Sequence, residues 1–130
     1  MMAGHMASVL VIEDDADSRD ALAIFLRRKG HHVESAANGT EGVAAVALHA
    51  PDVIVLDMFM PGVDGLMVLK SLRSYMGQRS LPVVVMTALP EGRLAARARE
   101  VGVSAILAKG TASLDDVHRA IEESLPSPAA

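Results

Sequence analysis

Four short apolar runs in this chain of 130 residues each lead straight into a side chain able to do chemistry. Val9-Leu10-Val11-Ile12 leads into Glu13-Asp14-Asp15, Val53-Ile54-Val55-Leu56 into Asp57, Val83-Val84-Val85-Met86 into Thr87, and Ile106-Leu107-Ala108 into Lys109. Runs of this length, rich in β-branched residues and bounded by polar or turn-forming residues, read as buried strands of a parallel sheet. The segments between them are long enough for helices. Open sheets of this kind bind ligands at the carboxyl ends of their strands, so acids, a hydroxyl and a lysine are expected to share one cleft.

The intervening segments carry helix signals. Asp17 or Ser18 is placed to cap a first helix whose body, residues 19–29, puts Leu22, Phe25 and Leu26 on one stripe before Gly30. His32-Val33-Glu34-Ser35 alternates as a further strand. Thr40 is placed to cap a second helix with Val43, Val46 and Ala47 inward, and Asp64 a third through Leu66, Leu69 and Leu72. Pro90 suits the first turn of a fourth, carrying Leu94, Ala98 and Val101 and ending at Gly102. A fifth starts near Ser113, with Leu114, Val117, Ile121 and Leu125 on one stripe, and Pro126 and Pro128 prevent its continuation. Strict alternation of five strands and five helices gives one doubly wound α/β domain.

Composition narrows the function. A hydrophobic content of 51% over this length supports one core, and with only 2% aromatic residues that core is aliphatic and methionine-filled. Met58, Met60, Met67 and Met86 are expected to serve packing. The absence of cysteine removes disulfides, thiolate metal sites and cysteine nucleophiles. No apolar stretch approaches the roughly 20 residues that cross a bilayer. A net charge of -4 argues against nucleic acid as a ligand of this domain, because phosphate-backbone affinity needs clustered cations. Gly4-His5-Met6 reads as a cloning remnant, so residues 1–7 are set apart, 8–125 form the domain, and 126–130 make a loose tail.

In the five-stranded arrangement with order 2-1-3-4-5, one of two common for such sheets, the order reverses between strands 1 and 3, which end in Asp14 and Asp57. Adjacent strands lie about 4.8 Å apart, so these carboxylates crowd one another and resist joint ionisation without a cation. Mg²⁺ fits. It prefers oxygen ligands and is typically held by one or two carboxylates together with a phosphate. Thr87 and Lys109 add a hydroxyl and a mobile cation suited to phosphoryl oxygens, and phosphoryl transfer depends on positioning and charge neutralisation. No P-loop, dinucleotide-binding glycine turn or Gly-x-Ser-x-Gly elbow is present.

Glu13-Asp14, Asp57, Thr87 and Lys109, with the loop Asp57-Met58-Phe59-Met60-Pro61-Gly62-Val63-Asp64-Gly65, resemble the bacterial response-regulator receiver domain from Ser8 to about Leu125. The resemblance implies a flavodoxin-like, chemotaxis-regulator-like fold with strand order 2-1-3-4-5. It also implies that Asp57 accepts a phosphoryl group from a histidine kinase or histidine phosphotransfer protein. Glu13, Asp14, Asp57 and the backbone carbonyl of Phe59 would arrange Mg²⁺, while Thr87 and Lys109 bind phosphoryl oxygens. Such a domain is a cytoplasmic switch for a downstream effector protein or domain, sometimes as a homodimer, rather than a turnover enzyme. Two positions depart from the family: Gly110 stands where proline with a cis bond is usual, and Ile106 where an aromatic switch residue is usual. A cis bond before a non-proline residue costs about 2.5 to 4 kcal/mol, so the Lys109–Gly110 path is either trans or strained.

Singly, each residue has a plainer reading. Asp15 and Asp17 suit a helix entry, Glu13 a solvated strand end, Thr87 a strand-terminal hydrogen bond and Lys109 a surface position. Asp57 resists such a reading, because an acid closing an apolar strand is costly to bury. Adjacent His31 and His32 point to opposite faces and cannot share a metal with each other. Two rivals are a pseudo-receiver that binds without phosphorylation and a Mg²⁺-dependent phosphatase with an aspartyl nucleophile. Phe59 stands where that phosphatase would need its second acid.

Overall fold

A computed structural model describes residues 6–126. Strands Ser8–Ile12 (β1), His32–Ala36 (β2), Val53–Asp57 (β3), Val83–Thr87 (β4) and Ala105–Ala108 (β5) form one sheet of order β2-β1-β3-β4-β5. Every pairing is parallel. This is the flavodoxin-like arrangement expected from the runs. The strands alternate with helices Ala16–Arg28 (α1), Gly39–Leu48 (α2), Gly65–Lys70 (α3), Arg93–Val101 (α4) and Leu114–Ser124 (α5). A π-helical turn, Ser71–Tyr75, extends α3 and carries the buried Leu72.

The period of two along each strand splits the core in half. Val9, Val11, Val53, Val55 and Val84 face Leu22, Ala23 and Leu26 of α1 and Val117, Ala120 and Ile121 of α5. Their neighbours Leu10, Ile12, Ile54, Leu56, Val83 and Val85 face Val46 of α2, Leu66, Val68 and Leu69 of α3, and Ala98 of α4. Burial of β3 on both faces explains why its sequence is uninterrupted apolar up to Asp57.

Several helix starts differ from the sequence expectation, each for a local reason. Asp15, not Asp17 or Ser18, caps α1, because its carboxylate accepts the Ser18 N–H at 2.8 Å. Asn38 rather than Thr40 caps α2, accepting from the Glu41 N–H at 2.8 Å. That earlier start turns Gly39, Gly42 and Val46 inward and leaves Ala47 exposed. Pro90 lies in the loop before α4, where the Gly92 N–H donates to the Leu89 carbonyl and makes Gly92 the cap. Leu114 and Met67 are exposed, and Ala120 takes the inward place on α5. Ala7, set apart with the terminus, is buried, and its carbonyl accepts from His32 as if extending β1. The readings for residues 1–5 and 127–130 lie outside the described residues.

Gly65 fixes how closely α3 approaches the end of β3. A Cβ there would sit 2.8 Å from both the Asp57 carbonyl oxygen and the Met58 Cα, which are backbone atoms that cannot rotate away. Gly65→Ala is expected to cost about 1–3 kcal/mol by this overpacking, read as a lower urea midpoint.

Candidate functional site

The register of the sheet brings the predicted residues together. Ile12 lies beside Leu56, so Glu13 emerges next to Asp57, while Asp57 lies beside Met86 and Thr87 beside Ala108. Lys109 therefore leaves β5 at the same edge. Carboxylate oxygens of Glu13, Asp14 and Asp57 all lie within 4.8 Å of one another. Glu13 and Asp57 are buried and Asp14 is exposed.

Lys109 joins these acids from the far side of the sheet. Its Nζ lies 2.8 Å from Glu13 Oε1 and 2.9 Å from Asp57 Oδ2. One cation thus serves two buried carboxylates. Burial pushes the Asp57 carboxyl up to about 7; the Lys109 hydrogen bond opposes this rise and the Glu13 charge adds to it. Burial works against the Lys109 ammonium as well, yet its bonds to Glu13 and Asp57 outweigh that and hold it above its ordinary value. The site is short of a positive charge, which a proton on Asp57 or a cation among the acids would supply.

The remaining predicted residues are placed less directly. The Thr87 side chain is buried, and its hydroxyl accepts from the Leu89 N–H at 3.1 Å, so it faces its own loop. The Phe59 N–H donates to Asp57 Oδ1 over a long 3.4 Å, and its ring is exposed. Ile106 is half-buried, paired with Val85 and packed against the core half beneath α3 and α4. No cis peptide bond occurs among the described residues, so the Lys109–Gly110 bond is trans. Gly110 has φ +89°, a conformation closed to the proline usual there.

Arg19 was missed by the sequence reading, which counted it only as the start of a helix body. Its guanidinium reaches back from α1 to donate to the Glu13 carbonyl at 2.9 Å and the Asp14 carbonyl at 3.4 Å. It thereby fixes the loop that carries both acids, while the Glu13 side chain accepts from the Asp15 N–H at 3.0 Å. A basic residue one turn into α1 was the available signal. Beside the acids, a cavity of about 310 Å³ runs between α1 and α5, lined by Leu22, Val55, Met86, Ala112, Leu114 and Val117. A wider cleft of about 610 Å³ lies near Pro51, Asp52 and Pro82, but its one acid, Asp52, is already used by the Ser8 N–H.

Among the described residues, no helix is long and apolar enough to cross a membrane. A family model described as the response regulator receiver domain matches residues 9–122. The transcriptional regulatory protein PdtaR of Mycobacterium tuberculosis is 39% identical over 115 residues, covering 88% of this chain and 54% of that protein. The transcriptional regulatory protein AfsQ1 of Streptomyces coelicolor is 42% identical over 83 residues, covering 64% of this chain and 36% of its own length. This chain therefore spans about half or less of these curated relatives. The chemotaxis protein CheY4 of Vibrio cholerae superposes with a TM-score of 0.85 at 26% identity, covering 93% of this chain and all of that one.

Proposed function

The chain belongs to the response regulator receiver domain family, and on that premise we propose that Asp57 accepts a phosphoryl group from a phosphohistidine. The carrying observation is a buried carboxylate at the strand edge with Lys109 on one side and two further acids on the other. In the transfer, an Asp57 oxygen attacks phosphorus, the bond from phosphorus to the donor imidazole nitrogen breaks, and that nitrogen keeps the electron pair. Asp57 must be ionised to attack. Lys109, released from it, then pairs with the new phosphoryl oxygens, and the Thr87 hydroxyl turns to donate to another.

The acid cluster fits a hard divalent cation, because it offers carboxylate oxygens only and carries more negative charge than Lys109 balances. Glu13, Asp14 and Asp57, with the Phe59 carbonyl, would hold Mg²⁺, which supplies neutralisation of charge on the transferred oxygens. Arg19→Gln is expected to weaken divalent binding about tenfold by loosening the loop of Glu13 and Asp14. Mn²⁺ titration followed by relaxation enhancement reads this. If Arg19 acted only through its charge, the same substitution would strengthen binding.

Phosphorylation replaces the single charge of the Asp57 carboxylate with a phosphoryl group carrying about -1.5 to -2, and drawing Thr87 toward it pulls the loop before α4 inward. Ile106 is β-branched and stiff at its first torsion, so we assign the relay to the segment Thr87 to Leu94 rather than to a side-chain flip at Ile106. Upstream partners are a histidine kinase or histidine phosphotransfer protein, and downstream an effector protein or domain, all in the cytoplasm. No observation favours a phosphorylation-independent binding module. Incubation with a small phosphodonor and Mg²⁺, followed by intact-mass analysis, is expected to add one phosphoryl group to the natural chain and none to Asp57→Asn. Equal labelling of the variant would overturn the assignment.

A further inference from the structure

The turn after α1 meets α5 at a second cluster of ligating atoms. His31 Nε2 and His118 Nε2 lie 3.0 Å apart, and Glu122 Oε1 lies 3.5 Å from that same His118 nitrogen. One such atom from each of the three residues lies within 4.8 Å of the others. We propose that His31, His118 and Glu122 form a binding site for Zn²⁺, separate from the acid cluster.

Geometry and donor type both favour this ion. Bonds of about 2.0–2.2 Å around a tetrahedral Zn²⁺ place its ligand atoms roughly 3.3 Å from one another. The separations of 3.0 and 3.5 Å bracket that value. Imidazole nitrogen suits Zn²⁺, whereas Mg²⁺ selects oxygen, so the two clusters sort different cations. Three protein ligands leave a fourth position for water.

The fold holds these groups in place. His118 and Glu122 lie one turn apart on α5, whose start is fixed by a capping box between Ser113 and Asp116. His31 is 4% exposed, its N–H donates to the Leu26 carbonyl, and the Phe25 ring meets His118 edge-on at 6.3 Å. Little rotamer freedom is left to lose on binding. Two hydrogen bonds are lost instead, one from the Ala7 N–H and one between the two imidazoles. His31 Nδ1 accepts from the Ala7 N–H at 3.1 Å, so in the metal-free chain the ring proton sits on Nε2 and points to His118. Zn²⁺ at Nε2 moves that proton to Nδ1, against the Ala7 N–H. An unmade hydrogen bond weakens such a site by about tenfold to a hundredfold.

Isothermal titration of the chain with Zn²⁺ alone, in excess Mg²⁺, tests this. About one equivalent should bind the natural chain, with binding weakened at least tenfold in His118→Ala and in Glu122→Gln, both on the accessible side of α5. Glu13→Gln, Asp57→Asn and His5→Ala should bind as the natural chain does. A tetrahedral absorption spectrum with Co²⁺ in place of Zn²⁺, lost in a folded His31→Gln variant, would tie His31 to the site. Unchanged binding in His118→Ala, or loss in the acid variants or in His5→Ala, would overturn the proposal and leave the reading of Asp57 untouched.

Discussion

At pH 8 without divalent cations, Asp57→Asn is expected to be more stable than the natural chain. Burial, with Glu13 adding and Lys109 opposing, pushes the Asp57 carboxyl from 3.8 up to about 7. The folded chain therefore holds a proton that the unfolded chain has released throughout the window from about pH 4 to about pH 7. In that window stability falls as pH rises, and above it the full cost of the buried charge is present. About three pKa units would amount to roughly 4 kcal/mol. Asparagine loses the Lys109 ion pair as well, so the net gain expected at pH 8 is about 1–3 kcal/mol, shrinking toward pH 4. Urea titrations at the two pH values measure it. A variant less stable at pH 8, or a difference independent of pH, would contradict this electrostatic account. Saturating Mg²⁺ should offset most of this gain, because a ligand at a hundred times its Kd stabilises by about 2.7 kcal/mol and the variant keeps fewer ligands.

Lys109→Met should have a large effect of opposite sign. Methionine keeps much of the apolar stem but removes the cation that faces both Glu13 and Asp57. Breaking a buried pair by deleting one partner costs about 3–5 kcal/mol, and the partial exposure of Lys109 lowers the expectation here to about 2–3 kcal/mol at pH 8. The loss should be smaller at pH 5, where Asp57 is protonated, and Mg²⁺ should restore part of it. In the double variant with Asp57→Asn, most of the penalty should vanish, because only Glu13 is then left unpaired. Additive effects of the two substitutions would show that the residues do not act as a unit.

Strand ends were legible in the sequence because burial on both faces forces an uninterrupted apolar run, and the residue that breaks the run must reach the sheet edge. That reasoning placed Glu13, Asp57 and Thr87 at the ends of β1, β3 and β4, while Lys109 follows β5, an edge strand that is only half-buried. Helix starts were less legible, because Asp15 competes with Asp17 and Asn38 with Thr40. The winner is the side chain that meets a free N–H three residues on, a local choice of backbone conformation that spacing does not decide. Leu114 showed the same limit: its place on the apolar stripe of α5 says nothing of the cavity it flanks. The reach of Arg19 to two carbonyls and the sharing of Lys109 between two acids are contacts across the fold. No local pattern encodes them. Composition likewise gave no sign that His31 and His118, 87 residues apart, would touch.

The central claim is that phosphoryl chemistry occurs on the carboxylate of residue 57. An aspartyl phosphate is reduced by borohydride to homoserine, which marks the labelled residue permanently. Treating the chain with phosphodonor and Mg²⁺, trapping with borohydride, and sequencing the peptides by mass spectrometry therefore reads the acceptor directly. The account predicts homoserine at position 57 alone, dependent on Mg²⁺ and diminished in Asp14→Ala. Homoserine at position 14 or 15, or none at position 57 under conditions that label the intact chain, would contradict it.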